Sequence, residues 1–217
     1  YEAFQNRMEY IFQEFDNIYV SFSGGKDSGL LLNLVLDYAK KNNIKKKIGV
    51  FHQDFEAQYS VTTEYILNTF EKNLDRIEPY WVCLPMATRT ALSSYEMYWY
   101  PWDDTKKDIW IRDMPKKPYV INIENNPFYY YKYKMHQEKL AKQFGRWYHE
   151  IHGCGKTICL LGIRASESLQ RYNSIINKKY GYYGMCFISK MFSNVWCGSP
   201  MYDWSVNDVW AANYKFG

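Results

Sequence analysis

No run of apolar residues in this chain approaches the length a bilayer span requires, so a membrane-crossing helix is not expected, nor is a membrane partner. No signal peptide is visible in these residues either. The five cysteines, Cys83, Cys154, Cys159, Cys186 and Cys197, are odd in number and irregular in spacing, which argues against a disulfide framework and predicts a reducing, cytoplasmic setting. Charge of one sign is scarce. The 27 basic and 23 acidic residues leave +4, enough to favour a small anion locally but too little to argue for nucleic acid. What the chain has in excess is aromatic, with 22 Tyr, 12 Phe and 8 Trp, and 217 residues suffice for one domain with a sizeable core. The tyrosine at position 1 suggests a trimmed start.

The organising stretch runs from Ile18 to Lys41. Ile18-Tyr19-Val20-Ser21-Phe22 is short, β-branched and aromatic, as a buried strand is. Leu30, Leu31, Leu34, Val35, Leu36 and Tyr38 then recur at helical spacing, and Lys40-Lys41-Asn42-Asn43 suits a helix C-terminus. Between them lies Ser23-Gly24-Gly25-Lys26-Asp27-Ser28, which places two glycines at a helix start. Backbone amides there lack intrahelical partners and sit at the positive end of the dipole, so phosphate binds. Gly24 and Gly25 clear the approach, Ser23 and Ser28 offer hydroxyls, and Lys26 offers a point charge. Asp27 would repel phosphate unless a cation or donor intervenes, which implies Mg²⁺ nearby and makes Asp27 the candidate metal ligand. The spacing matches neither Walker A nor the dinucleotide fingerprint.

Around this unit the text reads as alternating helix and strand. Phe4, Met8, Ile11, Phe12 and Phe15 predict a leading amphipathic helix. Ile48 to His52 is a second strand, Val61 to Leu74 a second crossover helix, and Tyr80 to Leu84 a third strand. Short strand–helix–strand connections imply a right-handed, parallel, doubly wound sheet, in which ligands bind beyond the carboxyl ends of the strands. Asp54 would then lie beside the phosphate loop, as a ribose or metal contact or as the head of an Asx turn. From Met86 to about Pro127 periodicity fails, and an irregular, aromatic-rich insertion is expected, covering a sheet edge or partner surface or stacking on a base or on single-stranded nucleic acid. Phe128 to His152 resumes helical spacing, with Gly145 a possible break. Thr157 to Ile163 is a fourth buried strand.

Arg164 follows that strand directly and begins Arg164-Ala165-Ser166-Glu167-Ser168-Leu169-Gln170-Arg171. The forked donors of Arg164 and Arg171 suit phosphate or sulfate oxygens, and Glu167 could orient either. Ile175 to Gly184 reads as a polar lid, and Met185 to Val195 as hairpin strand. Ser205, with Asp208 three residues on, starts a last helix. His152, Cys154 and Cys159 could supply metal ligands, although Cys159 falls within a strand. Asp203 is a modest site candidate.

Ser23 to Ser28 resembles the pyrophosphate-binding loop of the PP-loop superfamily. Gly162-Ile163-Arg164, Glu167-Ser168 and Arg171 resemble the arginine motif of its phosphoadenosine phosphosulfate (PAPS) reductase and ATP sulfurylase branch. Pro200, Asp203-Trp204 and Asp208-Val209-Trp210 resemble the third motif. Asp54 with Glu56-Ala57-Gln58-Tyr59, and Tyr80 to Pro85, extend the likeness to PAPS-reductase-like proteins of the immunoglobulin-binding regulator A type. The resemblance implies a Rossmann-like sheet of the adenine nucleotide alpha hydrolase kind, forming one domain over 1–217 with its insertion at about 86–127 and a C-terminal part absent. It implies ATP, or PAPS, as ligand, held by Ser23, Gly24, Gly25, Lys26, Asp27, Ser28, Asp54, Gly162, Arg164, Glu167 and Arg171. Lys26, Asp27 and Arg164 would be catalytic. Adenylyl transfer with release of pyrophosphate, sulfite release within sulfur metabolism using a thiol donor or partner protein, and nucleotide sensing without turnover all remain open. The Glu-Cys-Gly-x-His context and the paired cysteines of an iron–sulfur cluster, both known in reductases, do not occur in the sequence.

Overall fold

The computed structural model describes residues 1–153, 155–176, 181–182 and 185–216, without the side chains of 176, 181, 182 and 185. The fold is α/β and Rossmann-like, an eight-stranded, mostly parallel sheet flanked by helices. The leading helix α1 (Glu2–Glu14) buries Phe4, Met8 and Ile11. Strand β1 (Asn17–Ser21) leads into α2 (Lys26–Lys41), then β2 (Ile48–Gln53), α3 (Ser60–Lys72) and β3 (Ile77–Val82). A short hairpin follows, β4 (Thr88–Arg89) with β5 (Tyr98–Trp99), before β6 (Val120–Ile121) and α4 (Gln137–His152). The chain continues through β7 (Thr157–Leu161), α5 (Leu169–Ile176), β8 (Gly181–Tyr182), β9 (Met185–Phe192) and β10 (Val195–Gly198) to α6 (Val206–Phe216).

Strand order is β6-β3-β2-β1-β7-β10-β9-β8, and among these strands only β9 runs against the rest, antiparallel to β10 and β8 on either side. The chain therefore winds outward from β1 through β2 and β3, then returns to place β7 on the other side of β1. That reversal opens a crevice beyond the carboxyl ends of β1 and β7. One face of the sheet packs α1, α2, α3 and α6 around Leu30, Leu31, Val20 and Trp81, while the other packs α4 through Phe144, Trp147 and Tyr148. No helix among the described residues is long and apolar enough to cross a membrane.

Two expectations are corrected, and the hairpin expected at 185–195 is present. Val120 and Ile121, assigned to the insertion, pair with Trp81 and Val82 as a parallel edge strand of the main sheet. Two residues are too few to leave a periodic trace. Residues 128–136 are irregular, so α4 begins at Gln137, and Gly145 does not break it. A Cβ there would come within 2.6 Å of the Tyr19 hydroxyl, so close packing rather than flexibility calls for glycine. The 185–195 region is a hairpin that turns at Asn194, with φ of 58°, and returns as β10 beside β7. The lid expected at 175–184 falls mostly outside the described residues, as does Cys154 of the candidate metal trio.

Candidate functional site

At the end of β1 the chain must leave the sheet and start α2 within four residues. Gly24 makes the turn at φ +79°, and a Cβ on it would sit 2.7 Å from the Ile66 side chain, so both conformation and space demand glycine. Gly25 is the N-cap of α2, and no side chain caps the helix there. The first-turn amides are thus left without intrahelical acceptors beside a cleft of about 290 Å³. The Ser23 and Ser28 hydroxyls lie 2.9 Å apart; Ser28 Oγ also accepts from the Ser23 amide and donates to the Gly25 carbonyl. These hydroxyls lock the turn from within.

Opposite lies the tail of β7, pressed unusually close. A Cβ on Gly162 would come 2.9 Å from the backbone of Asp27 and Ser28, so the second motif abuts the start of α2 directly. Arg164 is buried, 4% exposed, and its Nε donates to Asp27 Oδ1 at 2.6 Å. Lys26 Nζ holds the other carboxylate oxygen at 2.6 Å. Burial pushes the Asp27 carboxyl up, but Lys26 and Arg164 outweigh it and hold it below the usual carboxylate range. The relay continues outward: Arg164 Nη1 donates to Ser166 Oγ at 3.0 Å, Arg164 Nη2 lies 3.6 Å from Glu167, and Glu167 pairs with Arg171 Nε at 3.0 Å.

The arrangement differs from expectation at two positions. Arg164 does not line the cleft; it backs Asp27, and the arginine at the cleft wall is Arg171, whose side chain is 45% exposed. Burial explains this, since a guanidinium in the interior must find a carboxylate, and Asp27 is the one in reach. Asp54 is withdrawn altogether. Fully buried, it accepts from Trp81 Nε1 at 2.6 Å, from the Glu56 amide at 2.7 Å in an Asx turn, and from Arg112 Nη2 at 2.6 Å to both oxygens. Arg112 and Glu56 were not anticipated. Glu56 accepts from the Trp102 and Ile111 amides, and with Asp54 it fastens the insertion to the sheet. The arginine at 112, one of two in the insertion, is the one trace of this in the sequence.

The third motif is scaffold for the second. The Ala165 amide donates to the Tyr202 carbonyl and Ser166 Oγ to that of Trp204. Asp203 takes a bidentate pair from Arg7 of α1 at 2.7 and 2.6 Å, away from the cleft. Ser205 and Asp208 cap α6 reciprocally, as their spacing predicts. Of the described cysteines none lines the cleft, and Cys83 and Cys159 are buried thiols whose pKa burial raises, to about 12 for Cys159.

An uncapped, glycine-opened helix start at the reversal point of a parallel sheet defines a PP-loop nucleotide-binding fold. Residues 17–215 match the phosphoadenosine phosphosulfate reductase domain, and the chain belongs to that family. It is 33% identical over 220 residues to a protein of Escherichia coli (strain K12) named Uncharacterized protein YbdN, across 99% of this chain and 52% of that one. The chain thus spans about half the length of the curated relative it matches. Candida glabrata FMN adenylyltransferase, solved in complex with FMN and the ATP analog AMPCPP, superposes with a TM-score of 0.51 at 12% identity, over 98% of this chain and 56% of that one. Phosphoadenylyl-sulfate reductase from Candida auris, in a phosphate complex, gives 0.49 at 13% identity, over 98% and 78%. At 12% identity the likeness to the adenylyltransferase is one of fold.

Proposed function

We propose that this domain binds ATP as its magnesium complex and promotes attack on the α-phosphorus, releasing pyrophosphate. The observation that carries the reading is the open N-terminus of α2, with its glycines at the mouth of the switch-point cleft. The amides and Gly24–Gly25 would cradle the β,γ-phosphates. Lys26, Asp27 and Arg164 together carry one net positive charge, so the carboxylate does not repel the polyphosphate. Lys26, partly exposed, can exchange Asp27 for a phosphate oxygen, while Arg164 keeps Asp27 in place from behind. Arg171, steered by Glu167, meets the charge from the cleft's outer wall. Among the described residues no three His, Cys, Asp or Glu side chains gather as a metal site, so magnesium would arrive with the triphosphate and find Asp27 beside it. When bound it would neutralise phosphate oxygens. The rest of the rate enhancement is positioning and fixed charge.

Family membership favours a second reading, sulfite release from PAPS, with its thiol supplied by a partner or a segment outside the cleft. A nucleotide sensor without turnover is the third. Incubation with ATP, PAPS and Mg²⁺, read by mass spectrometry, separates them. AMP or an adenylylated product with pyrophosphate supports the first reading, sulfite with thiol supports the second, and binding without product supports the third.

A further inference from the structure

A second cavity, of about 600 Å³, opens on the α4 side of the sheet. Its floor is a row in register across four strands: Tyr19 of β1, Cys159 of β7, Cys197 of β10 and Ser189 of β9. The row runs away from β2. Its walls are Phe51, Leu161, Ala141, Met191 and Phe192, with Glu138 and Lys142 of α4 at the mouth. Two of its lining residues, Ser21 and Leu161, also line the phosphate cleft, so the two spaces adjoin at the carboxyl ends of β1 and β7. The Tyr19 hydroxyl is fully enclosed, with the Cys159 thiol beside it. A largely apolar space edged by an exposed lysine and adjoining the cleft beside α2 is what a pocket for a second substrate offers.

We infer that this cavity holds the acceptor, and that the acceptor is a small organic carboxylate with an apolar body. The inference rests on the ATP reading above. Apolar walls take the body, and Lys142, which has no ion-pair partner among the described residues, draws the carboxylate to the mouth. There it faces the α-phosphorus. A carboxylate oxygen forms the new bond to phosphorus, the bond from that phosphorus to the bridging oxygen breaks, and pyrophosphate leaves with the electron pair. An acyl adenylate results and no proton moves. A carboxylate therefore needs no general base, which suits a wall whose thiols burial holds protonated.

The test uses the whole chain and two probes, anilinonaphthalene sulfonate for fluorescence and octanoate as competitor. The wild type should bind the dye, and octanoate should displace it better than octanol does. Ala141→Phe, which fills the cavity from the helix side, should weaken dye binding by about tenfold or more. Lys142→Glu, an exposed change that cannot unfold the core, should weaken it roughly threefold to fivefold. Saturating octanoate should change the affinity for Mg·ATP at least about twofold, because the sites share Ser21 and Leu161. Dye binding untouched by both substitutions overturns the pocket. Octanoate binding without any change in ATP affinity overturns the acceptor role. Absence of ATP binding by the wild type, with dye and variants behaving as described, overturns the nucleotide reading instead and leaves the cavity as a carboxylate site.

Discussion

Two aspartates, Asp27 and Asp54, stand just beyond the carboxyl ends of neighbouring strands, and each meets an arginine at 2.6 Å. Around Asp54 every route for water is closed: Trp81, Trp102 and Arg112 enclose it, and its partner comes from the insertion. Around Asp27 one side remains open, because Gly24 and Gly25 lead into its turn of helix and the partner lysine reaches solvent. The same ion pair thus fastens architecture in one place and poises charge beside a cleft in the other. What separates them is the residues that surround the pair, not the pair itself.

The contrast can be broken most forcefully at Asp54. Asp54→Ala strips Arg112 of its carboxylate, leaving it the Glu56 and Asp113 carbonyls, and the Trp81 indole of its acceptor, and a loss of about 3–5 kcal/mol is expected in urea unfolding. A variant that unfolds at the wild-type midpoint would show that the sealed pair is not structural. Next in size is Lys26→Ala, which removes a charge-assisted phosphate contact of about 1.5–3 kcal/mol. Mg·ATP affinity should fall roughly tenfold to a hundredfold in calorimetric titration, with unfolding stability within about 0.5 kcal/mol of wild type. Unchanged affinity would remove the phosphate loop from the account. Arg164→Lys keeps the charge but loses the fork that spans Asp27 and Ser166. As a positioning change it should lower kcat for pyrophosphate release about tenfold while leaving KM within about twofold, with Arg164→Ala worse in kcat. A rise in KM alone would mean that Arg164 touches the nucleotide.

The smallest effect is one of pH. Because Lys26 and Arg164 depress the Asp27 pKa, its ion pairs contribute fully above the unfolded carboxylate value of about 3.9 and are lost as pH falls through the lower folded value. The melting difference between wild type and Asp27→Asn should therefore stay constant from pH 7 to about 4 and shrink only below that. A difference that fades near pH 6 would mean Asp27 is not held as described.

Local chemistry accounts for what could be read before any coordinates. The glycine turn before α2, the leading helix and the Ser205–Asp208 cap all lie within a few residues of their cause, so propensity and spacing suffice. The parallel core followed from the order of strand and helix. Asp54 could not be placed, because its fate depends on Arg112, which arrives from the far end of an aperiodic insertion. Arg164 was read to the right motif but to the wrong neighbour: a side chain beyond a strand end points to ligand or to protein according to packing that only three dimensions decide. Val120–Ile121 escaped because pairing, not pattern, makes it a strand.

Gly162 carries a consequence that reaches past its own position. With backbone against backbone at that point, the tail of β7 and the start of α2 have no side chain there to compress or slide, so their spacing is fixed. Whatever opens or closes this crevice must therefore move its outer rim, where Glu167 and Arg171 stand, around a hub that stays still.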